Sequence, residues 1–536
     1  GRIYGETERL TDIYLNSAAD WTMGKRNTMS FIWMLSALAL AILLFAITNF
    51  INLFTAQGET RLKEIGVRKT FGAQPGNLVR QLFGEVGALV TVAFALGLGM
   101  ATQLTPAFSS LIGKGIDMNQ FFNPVFMASV LVLLVVTIVL SASYTSFYLS
   151  RLNPLDILGK RLRFSKSRLR FAIVGFQSAV TIVLISLVLI VNAQGRYLKD
   201  IPLGYNPRNV MSIRANGAIA SSSEAVMQEL LALPFVEEAA MADHIVGAGG
   251  SGQTISLLNN PEGATSINEY RFAPGLAELM RLELVEGGFF REDSPEESWE
   301  VVLNEAAVEM LGLERPVTGQ QVNYKGSPAN IVGVVKDFVY ENPSSRIQPL
   351  VIARPFSMNY IYLRLREGTD AAQVQDAIQT TLRGFDAGFV LSPIFSEEIY
   401  ESSFSTINSQ GRIISVGSML SVVLAMLGLL AIHLYSAVRR TKEIGIRRIN
   451  GATRGEIFML LSRGMLGWIL IAGVVAVPVA WWLAREMFAS VTNHVPLGWA
   501  MFAIPVVIQM VVALAVTSGV SIRVSSINPV NTLKSE

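Results

Sequence analysis

Lys442-Glu443-Ile444-Gly445-Ile446-Arg447-Arg448-Ile449-Asn450-Gly451-Ala452 is one of two copies of the same stretch. The other is Lys63-Glu64-Ile65-Gly66-Val67-Arg68-Lys69-Thr70-Phe71-Gly72-Ala73. Both keep Lys-Glu-Ile-Gly, then a β-branched residue, Arg, a second base and a closing Gly-Ala. Each copy follows a long apolar run and is followed closely by another. An Asn-Pro pair ends each unit, at Asn153-Pro154 and Asn528-Pro529. Order, spacing and context repeat together, which marks a duplicated unit.

The surrounding composition is that of a membrane protein. Hydrophobic residues make up 51% of the chain and charged residues 16%, against about 25% charged in a soluble domain. Runs at 29–53, 85–104, 125–148, 171–193, 412–436, 465–484 and 500–521 approach or exceed the roughly 20 residues that cross a bilayer as a helix. They predict a bundle of seven transmembrane helices. Asn49 and Asn52 near the end of the first run are expected to bond across to a neighbouring helix, and Gly97, Gly99 and Ala101 offer a small face for close packing. Trp481, Trp482 and Trp499 stand at run ends, where aromatic residues suit the interface. A net charge of +2 gives no basis for nucleic-acid binding. The absence of cysteine excludes disulfides and thiolate chemistry. His244, His433 and His494 are too far apart in sequence to suit a metal site.

Residues 194–410 read differently, with charges of both signs, turn residues and short alternating runs. Val210–Arg214, Ala329–Lys336 and Tyr360–Leu365 are predicted strands, and Ser222–Ala232 a helix with a serine cap. This is an α+β domain large enough for its own core. Within it, Gly247–Thr254 resembles a phosphate loop, but Gln253 stands where Lys is required, and the stretch is read as a flexible loop. Asp337 has no histidine or second carboxylate at a catalytic spacing and is read as a strand-end or turn residue. Basic residues fix the sidedness. Five fall in 55–83, seven in 149–170 and seven in 437–463, against Lys114 alone in 105–124 and Arg485 alone in 484–499. The signatures and the C-terminus are therefore expected inside, and the 194–410 domain outside. Arg439-Arg440 is part of this topology signal.

On a helix, Glu64 faces Arg68 and Glu443 faces Arg447, four residues on. Gly66 and Gly445 remove a side chain where another backbone could approach, and Gly72 and Gly451 can take positive φ and end the helix. A basic interfacial helix that anchors to anionic lipid is the simpler reading. Lipid anchoring requires neither the glycines nor the glutamate, whereas docking to a protein partner does, and duplication points to a two-fold partner.

The signature after a membrane helix resembles that of the FtsX-like permeases of ABC transporters, the group that includes MacB and the Lol lipoprotein-releasing permeases. Val302-Leu303-Asn304-Glu305-Ala306-Ala307 with Leu311-Gly312, and Val332–Phe338, are similar to the MacB-like periplasmic core. Asn-Pro-x-x-x-Leu at 153–158 and 528–533 resembles the family's ending. The resemblance implies an α-helical transmembrane bundle plus an α+β periplasmic MacB-like core domain. Residues 1–28 would be the remnant of a first periplasmic domain, since Asp12–Ser17 resembles Glu398–Ser403 and the two-unit members carry eight helices and two outer domains. The chain is thus expected to be truncated at its N-terminus. Residues 29–158 would be the first permease unit with a coupling helix at about 57–73, 159–193 a cytoplasmic linker and fourth helix, 194–410 the periplasmic core, and 411–536 the second unit with a coupling helix at about 437–452.

The resemblance further implies an inner-membrane permease subunit that is not itself an enzyme. Lys63, Glu64, Gly66, Arg68 and Gly72, with Lys442, Glu443, Gly445, Arg447 and Gly451, would contact ABC ATPase subunits, two copies of them. ATP-Mg would bind in that partner and no cofactor in this chain. Other expected partners are membrane lipid and a periplasmic adaptor or substrate protein. Export or extraction of a drug, peptide or lipoprotein by mechanotransmission is the expected function. The alternative is a non-transport regulator or scaffold of the FtsX type. An intramembrane enzyme is disfavoured, because the spans contain no paired carboxylates, histidine cluster or Ser-Lys arrangement.

Overall fold

The protein is described by a computed structural model over residues 29–58, 67–71, 74–112, 115–150, 168–290, 299–341, 343–354, 359–439, 441–489 and 491–525. The proposed remnant at 1–28 and both Asn-Pro closures lie outside the described residues. The chain forms two units. One contains Gln194–Thr406 and Phe488–Val495; the other contains the described residues up to Ala193, Ile407–Met487, and those from Pro496 onward.

The second unit is helical. Its elements are α1 (Met29–Gly58), α2 (Pro75–Ile112), α3 (Pro124–Ser150), α4 (Arg168–Lys199), α5 (Ser405–Arg439), α6 (Thr441–Ile449), α7 (Arg454–Met487) and α8 (Ala500–Ser525); the last residues of α4 and the first of α5 belong to the other unit. Among the described residues, seven of these helices are long and apolar enough to cross a membrane. The helices outrun the apolar runs that predict them. α2 has 38 residues, about 57 Å at 1.5 Å per residue, against roughly 30 Å of bilayer hydrocarbon. Pro75 suits its first position, because that N–H has no helical acceptor. Outward apolar side chains such as Leu131, Met419 and Val474 are exposed, as a lipid-facing surface requires.

Inside the bundle, Phe54, Leu78, Leu82, Val86 and Ala142 join α1, α2 and α3, while Val174, Leu429, Ile469 and Ala513 join α4, α5, α7 and α8. A polar cluster links α1, α4 and α5. Gln177 Nε2 donates to Thr48 Oγ1 at 2.6 Å and to Asn49 Oδ1 at 2.9 Å, and Asn49 Nδ2 donates to the Leu424 carbonyl at 2.6 Å. Asn49 therefore bonds across helices as its sequence position predicts. Asn52 is buried, and its side-chain nitrogen has no hydrogen-bond partner among the described residues. Gly428 lies against the cluster. A Cβ there would overlap Asn49 Oδ1 and stand 2.8 Å from Gln177 Oε1.

Among the described residues the other unit carries eleven strands: β1 (Val210–Arg214), β2 (Val236–Ala242), β3 (Ser251–Leu257), β4 (Asn260–Arg271), β5 (Leu284–Gly287), β6 (Glu300–Asn304), β7 (Gln321–Tyr324), β8 (Ser327–Val335), β9 (Leu350–Ala353), β10 (Tyr360–Leu365) and β11 (Pro393–Phe395). A four-stranded sheet runs β11-β1-β10-β2 with antiparallel neighbours. Met211, Ile213, Ile361 and Leu363 pack there against Val226, Leu230, Val374 and Ile378 of helices Ser223–Leu231 and Ala371–Arg383. In the second sheet, β8 pairs with β6 along one edge and with β7 and then β5 along the other. The order β8-β6-β9-β4-β3-β7 thus returns to β8, and closure leaves fewer unpaired edges. Ile255, Ile267, Val301, Leu303, Tyr324 and Val351 form one core cluster of this sheet.

Local chemistry explains the joints. Asn304 ends β6 and caps helix Glu305–Leu311, accepting from Ala307 N at 3.0 Å and from Leu350 N at 2.8 Å and donating to the Gln348 carbonyl at 3.0 Å. Gly312 closes that helix at φ 62°. Glu269 is fully buried between Arg271, 2.6 Å away, and Lys325, 2.8 Å away. Two local expectations are corrected. Ser222 occupies the N-cap position but makes no side-chain cap bond, because its backbone is already turning out of the preceding helix, Gly217–Ser221, which Asn216 caps. Gly247–Thr254 is not a loop throughout. Ser251–Thr254 belongs to β3 and pairs with Ser266–Glu269 of β4, since alternating Thr254 and Ile255 suit a half-buried strand.

Gly428→Ala should push the Asn49 amide out of its bonds and lower stability by about 1–3 kcal/mol, read as the thermal midpoint of the full chain in detergent. Gly97→Ala, which meets open space, should leave that midpoint unchanged. Asn304→Ala leaves two buried N–H groups unpaired and should cost about 3 kcal/mol, read by the rate of proteolysis within 194–406.

Candidate functional site

The second signature copy forms α6. α6 has nine residues, with Glu443 in its first turn and Arg447 toward its end, the charge order that a helix dipole favours. Glu443 and Arg447 form the i,i+4 ion pair at 2.9 Å, each side chain about half exposed. Such a surface pair contributes only about 0.3–0.5 kcal/mol. Ile444 anchors the helix: it is buried and packs against buried Ile457 of α7. Ile446 and Ile449 point away from that contact and are 48% and 59% exposed.

The helix ends on Gly451 at φ +90°, where the Ala452 N–H donates to the Arg447 carbonyl at 2.9 Å and the Asn450 N–H to the Ile446 carbonyl at 3.1 Å. This is the glycine-closed end that the signature requires. The next helix starts at once. Thr453 N donates to Glu456 Oε2 at 2.8 Å and Glu456 N to Thr453 Oγ1 at 3.3 Å, a capping box. Its Thr-x-x-Glu pattern, Thr453 to Glu456, is legible in the sequence. An open cavity of about 450 Å3 lies here, lined by Arg447, Asn450, Gly451, Glu456, Ile457 and Leu460 among others. Its mixture of base, acid, amide and apolar walls suits a protein surface better than a small apolar ligand.

Of the first copy, Lys63, Glu64, Gly66 and Gly72 lie outside the described residues. Val67–Phe71 forms a turn closed by Phe71 N donating to the Val67 carbonyl at 3.1 Å. Arg68 Nη1 donates to Gln81 Oε1 of α2 at 2.9 Å, and Gln81 Nε2 donates to Glu85 Oε1 at 3.1 Å. Phe71 is 88% exposed. The copies differ at this point, since Asn450 stands where the first has Phe71. In the second copy, Lys442 and Gly445 lie within α6. Asp337, set aside as a catalytic residue, accepts from Ala306 N at 3.0 Å at a helix start; burial above all pushes its carboxyl above the usual range.

Residues 36–154 and 415–529 match the family described as FtsX-like permease C-terminal, so the match falls on both repeats. Residues 173–381 match the MacB-like periplasmic core domain. The chain belongs to the FtsX-like permeases with a MacB-type core. This FtsX-like permease is 23% identical over 273 residues to the macrolide export ATP-binding/permease protein MacB of Chromobacterium violaceum, covering 48% of this chain and 42% of that one. It is 27% identical over 209 residues to the macrolide export ATP-binding/permease protein MacB 2 of Aeromonas hydrophila, covering 36% and 31%. The chain therefore spans less than half the length of these curated relatives. The crystal structure of the periplasmic region of MacB from Actinobacillus actinomycetemcomitans aligns at 16% identity over 39% of this chain and 97% of that one, with a TM-score of 0.28. Seven membrane-capable helices and a periplasmic-type core fit a multi-pass inner-membrane protein of the ABC transporter permease class.

Gly451→Ala should strain the helix end by about 1 kcal/mol and fray α6. Trypsin cleavage after Arg447 or Arg448 in the folded chain should rise about fivefold, while the Gly464→Ala control, which meets open space, should not change it.

Proposed function

We propose that this FtsX-like permease couples ATP hydrolysis by a partner ATPase to movement of its periplasmic core, and so exports or extracts a substrate on the outer side of the inner membrane. The observation that carries the reading is α6, a short helix that buries Ile444 and exposes Ile446, Ile449, Glu443 and Arg447 beside an open cavity. The repetition of its sequence at Lys63–Ala73 supports two docking sites and hence two ATPase copies. The curated relatives' names join ATP binding to permease, which supports an ATPase as the natural partner.

In this reading Glu443 and Arg447 meet opposite charges on the ATPase, Ile446 and Ile449 enter an apolar groove, and Gly445 and Gly451 allow close backbone approach. ATP and Mg2+ are held by the ATPase. Closure of the ATPase displaces α6, and α5 and α7, continuous with it in sequence, carry the displacement outward. The excess of basic residues in the loops that carry the signatures supports a cytoplasmic side for both signatures and the C-terminus and a periplasmic side for the core. A drug, peptide or lipoprotein is the substrate class, delivered with or without a periplasmic adaptor, and lipid surrounds the helices.

The test is co-purification of the full-length protein with its ATPase, comparing wild type with Glu64→Lys plus Glu443→Lys. Recovery with wild type and at least a tenfold loss in the double variant is the expected result. The charge reversal costs α6 only about 0.5 kcal/mol of its own stability, so a loss of that size reports the interface. Equal recovery from both proteins overturns the docking assignment and favours lipid anchoring. No ATPase with either favours the regulator reading.

A further inference from the structure

Residues 491–495 join α7 to α8 in sequence, yet they belong to the β-rich unit. Asn493 is bonded there through every polar group it has but one. Its Nδ2 donates to the Pro343 carbonyl at 2.9 Å and to the Ser345 carbonyl at 3.1 Å, and its backbone N–H donates to the Ser344 carbonyl at 3.3 Å. Its own carbonyl accepts from Gln194 Nε2 at 2.8 Å, and Gln194 Oε1 accepts from Val495 N at 2.8 Å. Gln194, near the end of α4, is 5% exposed. The His494 ring stacks on Phe488, with centroids 5.2 Å apart and planes 7° apart. Three segments distant in sequence thus meet at two side-chain amides.

We propose that Asn493 and Gln194 form a permanent joint, through which the α7–α8 connection, the end of α4 and loop 343–345 move as one piece during the ATPase cycle. The joint goes beyond the docking of the ATPase and does not depend on which substrate is handled. Its permanence follows from satisfaction. Both ends of the Gln194 amide are used, as are both amide hydrogens of Asn493. Separation would take the buried Gln194 amide and the carbonyl of buried Pro343 away from these bonds, and buried polar groups that lose their partners are costly. A contact meant to open in each cycle would need water or alternative partners for these groups. Asn493 is therefore a positioning residue.

The chain contains no cysteine, so an introduced pair reports alone. Thr492→Cys with Ser345→Cys, both at exposed positions, is placed in the full-length protein in membranes with its ATPase and treated with a short bismaleimide. Cross-linking is compared without nucleotide and after trapping with ATP and vanadate. Yields equal within twofold are expected. A fall of fivefold or more on trapping, or no cross-link in either state, overturns the joint. Adding Asn493→Asp, which keeps the shape but removes both amide hydrogens, should lower the nucleotide-free yield at least threefold at unchanged protein recovery, and an unchanged yield overturns the role of Asn493. This comparison needs no ATPase. Loss of ATPase from the membranes would therefore count against the coupling reading and leave the joint to be decided by Asn493→Asp.

Discussion

Gln177 serves two acceptors on another helix with one amide nitrogen, Thr48 Oγ1 and Asn49 Oδ1, and Asn49 passes the bond on to the Leu424 carbonyl. In a bundle surrounded by lipid, apolar side chains gain little by leaving tails for one another, so close packing and a few interhelical hydrogen bonds of roughly 1 kcal/mol each select the arrangement. The cluster sets α1, α4 and α5 at one spacing, and Gly428 makes that spacing possible because any side chain there would displace the Asn49 amide. Gly417 does the same one level along α5, where a Cβ would overlap Leu38. α1 and α5 each run toward one signature copy in sequence, so the helices that carry the signatures are registered by this cluster.

The β-rich unit is held differently. Its strands lie in cores of valine, isoleucine and tyrosine, where burial supplies the driving force at about 25 cal/mol per Å2. Specificity comes from a small number of buried polar groups, chiefly Asn304 with its hydrogen bonds and Glu269 with its ion pairs to Arg271 and Lys325. His244 lies beside that set with Nε2 2.7 Å from Ser251 Oγ, and burial above all pushes its imidazole below the ordinary value. A buried ion set of this kind is weak evidence of net stability, because desolvation offsets the attraction, but removal of one member leaves the others uncompensated. It fixes which strands meet at the β4 end.

Much of this was legible in the sequence, and the limits have physical causes. Apolar runs revealed every crossing helix because the lipid demands them, but not the helix ends. α2 begins at Pro75 and α7 at Arg454, well before their apolar runs, since capping chemistry rather than hydropathy starts them. Strands at Val210–Arg214 and Tyr360–Leu365 were readable because alternation and β-branching coincide there. Ser222 misled because a serine before a helical pattern carries no record of the backbone angle that a cap needs. At the signature, Gly451 and the Glu443–Arg447 pair followed from spacing alone, being local. The Ile444–Ile457 contact and the binding of Arg68 to Gln81 did not, because both depend on where the following helix turns back. Asn493 gave no signal: its partners Pro343 and Gln194 lie 150 and 299 residues away in sequence, and a lone polar residue in a short loop reads as a turn.

The signature helix has an energetic peculiarity that bears on its use. Nine residues are too few for a helix to be stable alone in water, and among its described side chains α6 adds one buried residue, one surface ion pair and a glycine-closed end. Its exposed isoleucines gain nothing from the rest of the described chain. If lipid were their destination, the helix would need an apolar face continuous enough to lie in the interface, but Glu443 and Arg447 share the outward side with Ile446 and Ile449. Apolar contact area ringed by charges of both signs is the composition of a protein interface. On the proposed reading, the partner supplies the missing burial, and α6 becomes rigid enough to carry displacement only when the ATPase is seated. An idle permease would then transmit little to its outer unit, because the element that receives the displacement is itself only marginally folded.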